Sequence, residues 1–353
     1  MAHQIELDGS GVRAFLSLAS QQKVVPRDVI SMLGMPAYAR MTDALALSKD
    51  EVRAAFLRGF DLEVAARHGQ ESPFVQLMAE DIRFSRAHVP ELRALAHRAE
   101  NEWNLSDAEC LVRRFLPEAC VTPRATISLV AGLAQGLQSG QDVIVDLPLA
   151  MILRPEAPLT NLTETVAHEV HHLWRQGCPS EPPLTIASSG SIHQVLTQLE
   201  SEGIAMALVW DDAEPEEAIE RDAKQMISFF GEPIRPMIDE WQAAYRGGHA
   251  QHLSRLEMAI GDELNSGSTT SSNRPILEIL HSGLEHPVGH AMAHRIRSVL
   301  GHDALVSCVH RPLQFLRTYQ SAVSGAHASK DYHAFDATWV HRVAAAFLST
   351  RSP

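Results

Sequence analysis

The chain has 353 residues, 45% of them hydrophobic and 21% charged, so it can bury one large core or two smaller ones and is too apolar for a disordered or collagen-like polymer. Lys plus Arg is 30 against 43 for Asp plus Glu, a formal net charge of -13; with no basic surplus to displace counterions from a phosphate backbone, nucleic acid is not expected as a partner. Four cysteines, Cys110, Cys120, Cys178 and Cys308, are widely spaced without a CxxC, which argues against a cysteine zinc site and a disulfide scaffold and fits a reducing compartment. Met1 to Asp8 has no basic stretch leading into an apolar run, and the longest apolar stretch is interrupted by polar residues. The expectation is a cytoplasmic chain with no membrane partner.

From Val12 to about Pro117 apolar residues recur at three- and four-residue steps, for example Phe74, Leu77, Met78 and Ile82, which predicts helices and no strand. After Cys120-Val121-Thr122-Pro123, two short strands are predicted at Ala125 to Val130 and Val143 to Leu147, separated by the glycine-rich Gly132 to Gly140. A helix over 159–176 follows, then a loop from Gly177 to Ser191 and a second helix over 193–210. The acidic residues around Pro215 mark another helix start, because carboxylates favour the positive helix N-terminus. Ser266 to Asn273 has the composition of a surface loop, and the pattern over 275–348 is helical. The fold class expected is α+β, predominantly helical, with one small sheet. The domains expected are an N-terminal helical region over 1–120 and a second region over 121–353.

Chemistry concentrates at His168-Glu169-Val170-His171-His172, an HExxH motif inside a predicted helix. In a chain with 19 histidines, random order would give roughly 0.07 such motifs, so the match alone is only suggestive. The spacing puts His168 and His172 about 6 Å apart along one helix face, where two imidazoles can share one tetrahedral zinc ion. Glu169 is turned by about 100° to the next face, where a carboxylate can take a proton from metal-bound water. Leu162, Val166, Glu169 and Leu173 follow i, i+4, i+7, i+11, which places Glu169 inside an otherwise apolar stripe where a nearby dication would offset its burial. His171 points elsewhere.

A catalytic zinc needs a third protein ligand, and the candidates downstream are Glu181, His193, Glu200 and Glu202. Val195, Leu199, Glu202, Met206 and Val209 form a second apolar stripe with Glu202 at its centre, and Glu200 lies about 160° away. The same burial argument favours Glu202, with Gly203 and Ala205 allowing close helix approach. The competing reading is a core glutamate paired with a buried Arg.

His168-Glu169-Val170-His171-His172 followed by Ser201-Glu202-Gly203-Ile204-Ala205 resembles the gluzincin metallopeptidases, and most nearly uncharacterised bacterial families of zinc-dependent peptidases. The resemblance implies a zincin-like catalytic part over about Ala125 to Tyr319. In it His168, His172 and Glu202 bind one Zn²⁺, Glu169 is the general base, and a strand beside the cleft, here Ala125 to Gly132, pairs with an extended substrate. In gluzincin aminopeptidases a Y-x-x-G segment supplies a tyrosine to the oxyanion. This chain has His286-Pro287-Val288-Gly289 there, which makes His286 the candidate electrophilic residue. His290 and His294 lie opposite the apolar stripe of that helix and are expected to border the cleft or face water. The G-x-M-E-N segment of the aminopeptidases is absent, and residues 1 to 120 contribute nothing to the likeness.

The reaction expected is hydrolysis of a peptide bond in a peptide or protein substrate. Two other classes remain: a metal- or partner-binding protein that keeps the fold without peptidase activity, and a two-histidine, one-carboxylate Fe(II) oxygenase. The latter usually sits on a β-barrel, unlike this mostly helical chain.

Overall fold

The computed structural model of the chain describes residues 4–63, 72–181, 190–210, 215–231, 234–266, 283–325 and 331–348. Most of the loops expected over 177–191 and 266–273 lie outside them. The described residues are predominantly helical with one small mixed sheet, as the α+β reading expects. In chain order they form β1 (Ile5–Asp8), α1 (Ser10–Ala19), α2 (Pro26–Leu33), α3 (Pro36–Ala44), α4 (Lys49–Gly59), α5 (Pro73–Ala87), α6 (Val89–Asn101) and α7 (Leu105–Arg114). Then come β2 (Ala125–Val130), β3 (Gly136–Ser139), β4 (Asp142–Asp146), α8 (Leu147–Leu153), α9 (Pro158–Arg175), α10 (Gly190–Val209), α11 (Pro215–Phe230) and α12 (Arg235–Ala243). A π-helical turn (Ala244–Gly248) leads into α13 (His249–Ser266), followed by α14 (Glu285–Leu300), α15 (His302–Val306), α16 (Pro312–Val323) and α17 (Ala337–Leu348). Among the described residues no helix is long and apolar enough to cross a membrane.

The chain divides into two compact units. The first comprises Met1–Val112, Thr122–Leu173 and Lys224–Arg235; the second comprises Arg113–Val121, Trp174–Ala223 and Pro236–Pro353. The boundary expected at residue 120 falls inside a short piece of the second unit.

The sheet belongs to the first unit and has the order β1-β2-β4-β3. β1 and β4 flank β2 in parallel, with Ile5 opposite Ala125 and Ile127 opposite Val143, and β3 pairs antiparallel with β4. Central parallel strands are covered on both faces, which is why Ile127, Leu129, Val143, Ile144 and Val145 are all buried. Two strands went unread in the sequence, β1 and β3. Over Ala125–Ser128, β2 lies between two neighbours, so the substrate pairing expected along Ala125 to Gly132 has no open edge on that part of the strand, and β3 ends the sheet.

Three buried polar side chains hold the turn from β2 into β3. The Tyr38 hydroxyl donates to Ala131 O (3.1 Å) and accepts from Ala131 N–H (3.2 Å), Asp81 accepts from Gly132 N–H (2.7 Å), and Asp146 accepts from Leu133 N–H (3.0 Å). Asp146 also caps α8 by accepting from Leu149 N–H (3.0 Å). Gly132, at φ +91°, is the residue type this turn requires. Burial pushes the Asp81 carboxyl well above the usual carboxylate range, and the neighbouring Asp146 raises it further. Burial raises Asp146 too, against the pull of its N–H donors. Among the described residues no donor faces Asp81 Oδ1; a proton there, donated to Asp146, removes that cost.

A raised folded-state pKa gives stability that is complete below the unfolded value near 3.8 and is lost as pH rises through the folded value. Asp81→Asn supplies the donor without a titrating proton and keeps an acceptor for Gly132. Its Tm relative to wild type should therefore rise as pH is raised above the unfolded value near 3.8. A difference that stays flat with pH would show that no proton is held there.

In the second unit α10 packs on α14 at a crossing of two glycines. A Cβ on Gly203 would lie 2.4 Å from Gly289 O, and one on Gly289 would lie 2.4 Å from Leu199 O, so only glycine permits this approach. Cys120 and Cys178 form a disulfide, beside which Val121 N–H donates to Gly177 O (3.0 Å). The expectation of four separate thiols is thereby corrected for this pair. Cys110 and Cys308 are free thiols.

Candidate metal centre

Helix α9 is set in place by its first half. Trp103 Nε1–H donates to Thr163 Oγ1 (2.9 Å), Arg154 pairs with Glu164 (2.6 Å), and Leu162, Val166 and Val170 are fully buried. Each such apolar side chain contributes about 1.5–3 kcal/mol when removed from water. The buried face runs through Val170, not through Glu169 as the stripe argument expects. Glu169 is half-buried, as are His168 and His172. Fully buried His171 lies in the core.

His168 Nε2 and His172 Nε2 lie 3.0 Å apart, with their rings steeply inclined at 80°. Glu169 meets the sheet at β3. A Cβ on Gly136 would lie 2.7 Å from Glu169 Oε1, so the absence of a side chain at Gly136 is what gives the carboxylate its place. The glycine-rich stretch was a legible signal, but it reads as a linker until Glu169 is seen against it.

Helix α10 separates the two glutamates sharply. Glu200 is fully buried, paired with Arg175, and accepts from His310 N–H (2.8 Å). Burial pushes its carboxyl up, while Arg175 and His310 hold part of that rise back. Glu200 is thus the core glutamate with a buried Arg. The carboxylate of Glu181 accepts from Leu313 N–H (2.9 Å) and Gln314 N–H (2.8 Å) at the start of α16. His193 has its Nδ1 3.5 Å from Thr197 Oγ1, and burial lowers its pKa.

Glu202 is half-buried and faces His286, whose Nε2 is 3.2 Å away. The other ring nitrogen, Nδ1, is 3.3 Å from Gly283 O and 3.7 Å from the Glu285 carboxylate. Burial opposes the charge of this imidazole, but Glu202 and Glu285 outweigh it and push its pKa up to about 9. Both ring nitrogens of His286 thus face groups of this same chain. His290, expected to border the cleft or face water, is buried against the Trp210 ring, and burial pushes its pKa down to about 3.

One ligand atom each from His168, His172 and Glu202 lie within 4.8 Å of one another, the one such group of three or more His, Cys, Asp or Glu found among the described residues. Two imidazoles and a carboxylate are the donor set of catalytic zinc sites with an open fourth position. The chain matches, over residues 30–327, the family described as "Putative zinc dependent peptidase (DUF5700)". It belongs to that family. No curated protein and no solved structure matches it.

Proposed function

We propose that the chain is a zinc-dependent peptidase of the gluzincin type, with the metal held by His168, His172 and Glu202 and with Glu169 as general base. The observation that carries this reading is the convergence of those three ligand atoms within 4.8 Å. The residues fit the ion. Two imidazole nitrogens on one tetrahedral zinc stand about 3.3 Å apart, and here the two Nε2 atoms are 3.0 Å apart. When bound, zinc supplies a Lewis acid that polarises a carbonyl and brings the pKa of its water near neutrality.

Glu169 takes the proton of the attacking water on a carboxylate oxygen and delivers it to the leaving amide nitrogen. Its position against Gly136 holds that carboxylate beside β3. Asp146 N–H bonds to Gln135 O (3.3 Å) and Leu137 lies opposite Ile144, so the antiparallel alternation turns the N–H and C=O of Gly136 away from β4. An extended peptide adding to that edge would bring its backbone to Glu169, which supports a peptide substrate.

Glu169→Gln keeps the side-chain shape and all three ligands but cannot take the proton. It should bind zinc like the wild type and lose hydrolysis of a denatured-protein substrate by at least roughly 10²-fold. Full activity in this variant would overturn the mechanism, and zinc binding without hydrolysis by the wild type would favour a metal-binding protein.

A further inference from the structure

The geometry points to His286 as the positioning residue of the Glu202 carboxylate, with its ring plane set by Trp241; this rests on Glu202 being a zinc ligand. A carboxylate ligand has two oxygens, and a metal is held tightly when the oxygen turned away from it is fixed by a donor. Here His286 Nε2 faces Glu202 Oε2 at 3.2 Å, so the imidazole meets the carboxylate directly. The ring cannot turn freely. Trp241 of α12 stacks on it with centroids 5.4 Å apart and planes 23° apart, while Nδ1 faces Gly283 O.

Glycines make this arrangement possible on both sides. Gly283 has φ +72°, and a Cβ there would lie 3.1 Å from the Trp241 indole. The Gly203–Gly289 crossing brings α10 and α14 into backbone contact one residue from Glu202 and three from His286. A carboxylate on one helix is therefore presented to an imidazole on the other, with the ring plane set by a third helix.

The test is zinc affinity, measured on the full chain by competition with a chromophoric chelator, with zinc alone as the probe. His286→Ala should weaken zinc binding roughly 10–100-fold. His286→Gln, whose side-chain amide can donate to Glu202, should recover most of that loss, and circular dichroism of both variants should match the wild type. Wild-type affinity in His286→Ala would overturn the inference. So would a His286→Gln variant that is folded and binds as weakly as His286→Ala, because the ring's packing would then matter and not its hydrogen bond. Glu202→Ala separates this from the site itself: if that variant binds zinc as tightly as the wild type, or if the wild type binds none, the ligand assignment fails and the role of His286 fails with it.

Discussion

Glu200→Ala should destabilise the protein by about 3–5 kcal/mol in denaturant unfolding, while Glu202→Ala should unfold close to the wild-type midpoint. Removing Glu200 leaves the Arg175 guanidinium in the interior without its carboxylate partner and His310 N–H without its acceptor. Leaving a buried charge uncompensated is the expensive event, whereas replacing both partners together often costs little. The double change Arg175→Met with Glu200→Leu should accordingly recover much of the lost stability. Equal midpoints for Glu200→Ala and wild type would show that Arg175 is solvated by other means. Arg175 ends α9, so this pair anchors the end of the helix that carries His168, Glu169 and His172.

Reduction of the Cys120–Cys178 bond should cost a comparable amount. The two residues are separated by 58 positions, and the chain-entropy model gives about 4 kcal/mol for releasing a loop of that length in the unfolded state. That loop encloses β2, β3, β4, α8 and α9, including the whole HExxH motif. Guanidinium unfolding of oxidised protein, reduced protein and the Cys120→Ser variant should show a lower midpoint for the latter two. Thiol titration of the unfolded, non-reduced chain should count two free thiols, Cys110 and Cys308. Four free thiols, or coincident unfolding curves, would contradict the bond.

Much of the fold near the site is legible in the amino-acid sequence. The helix expected over 159–176 is α9 (Pro158–Arg175), the one over 193–210 is α10 (Gly190–Val209), and Ala125–Val130 is β2 residue for residue. These elements carry strong local signals: helical spacing, an apolar run, and proline or glycine at their ends. β1 and β3 escape because each has only four residues and its identity comes from its neighbour across the sheet. Ile5–Asp8 becomes a strand by lying beside Ala125–Ser128, more than a hundred residues away. The disulfide is hidden for the same reason, since pairing depends on Val121 meeting Gly177.

The two glutamates of α10 show where a periodicity argument stops. A single apolar stripe is informative on a helix with one wet face. α10 is buried nearly all round: Ile192, Leu196, Leu199, Glu200, Ile204, Ala205 and Leu208 are each at most 2% exposed. On such a helix the stripe through Glu202 does not single out a buried face, and Glu200 is the deeper carboxylate. What separates them is the partner each one meets, Arg175 for Glu200 and His286 for Glu202, and partners from distant elements are not written in helical spacing. His286 shows the same limit: the resemblance implies a donor to the oxyanion, and nothing in that motif tells that its Nε2 meets Glu202 of a distant helix.

The central claim is a zinc ion held by His168, His172 and Glu202, and metal content tests it most directly. Elemental mass spectrometry of the purified wild type, supplied with zinc and kept from chelators, should find about one zinc per chain, and Glu202→Ala should lose it while remaining folded. A wild type without zinc, or a Glu202→Ala variant that keeps a full complement, would contradict the assignment.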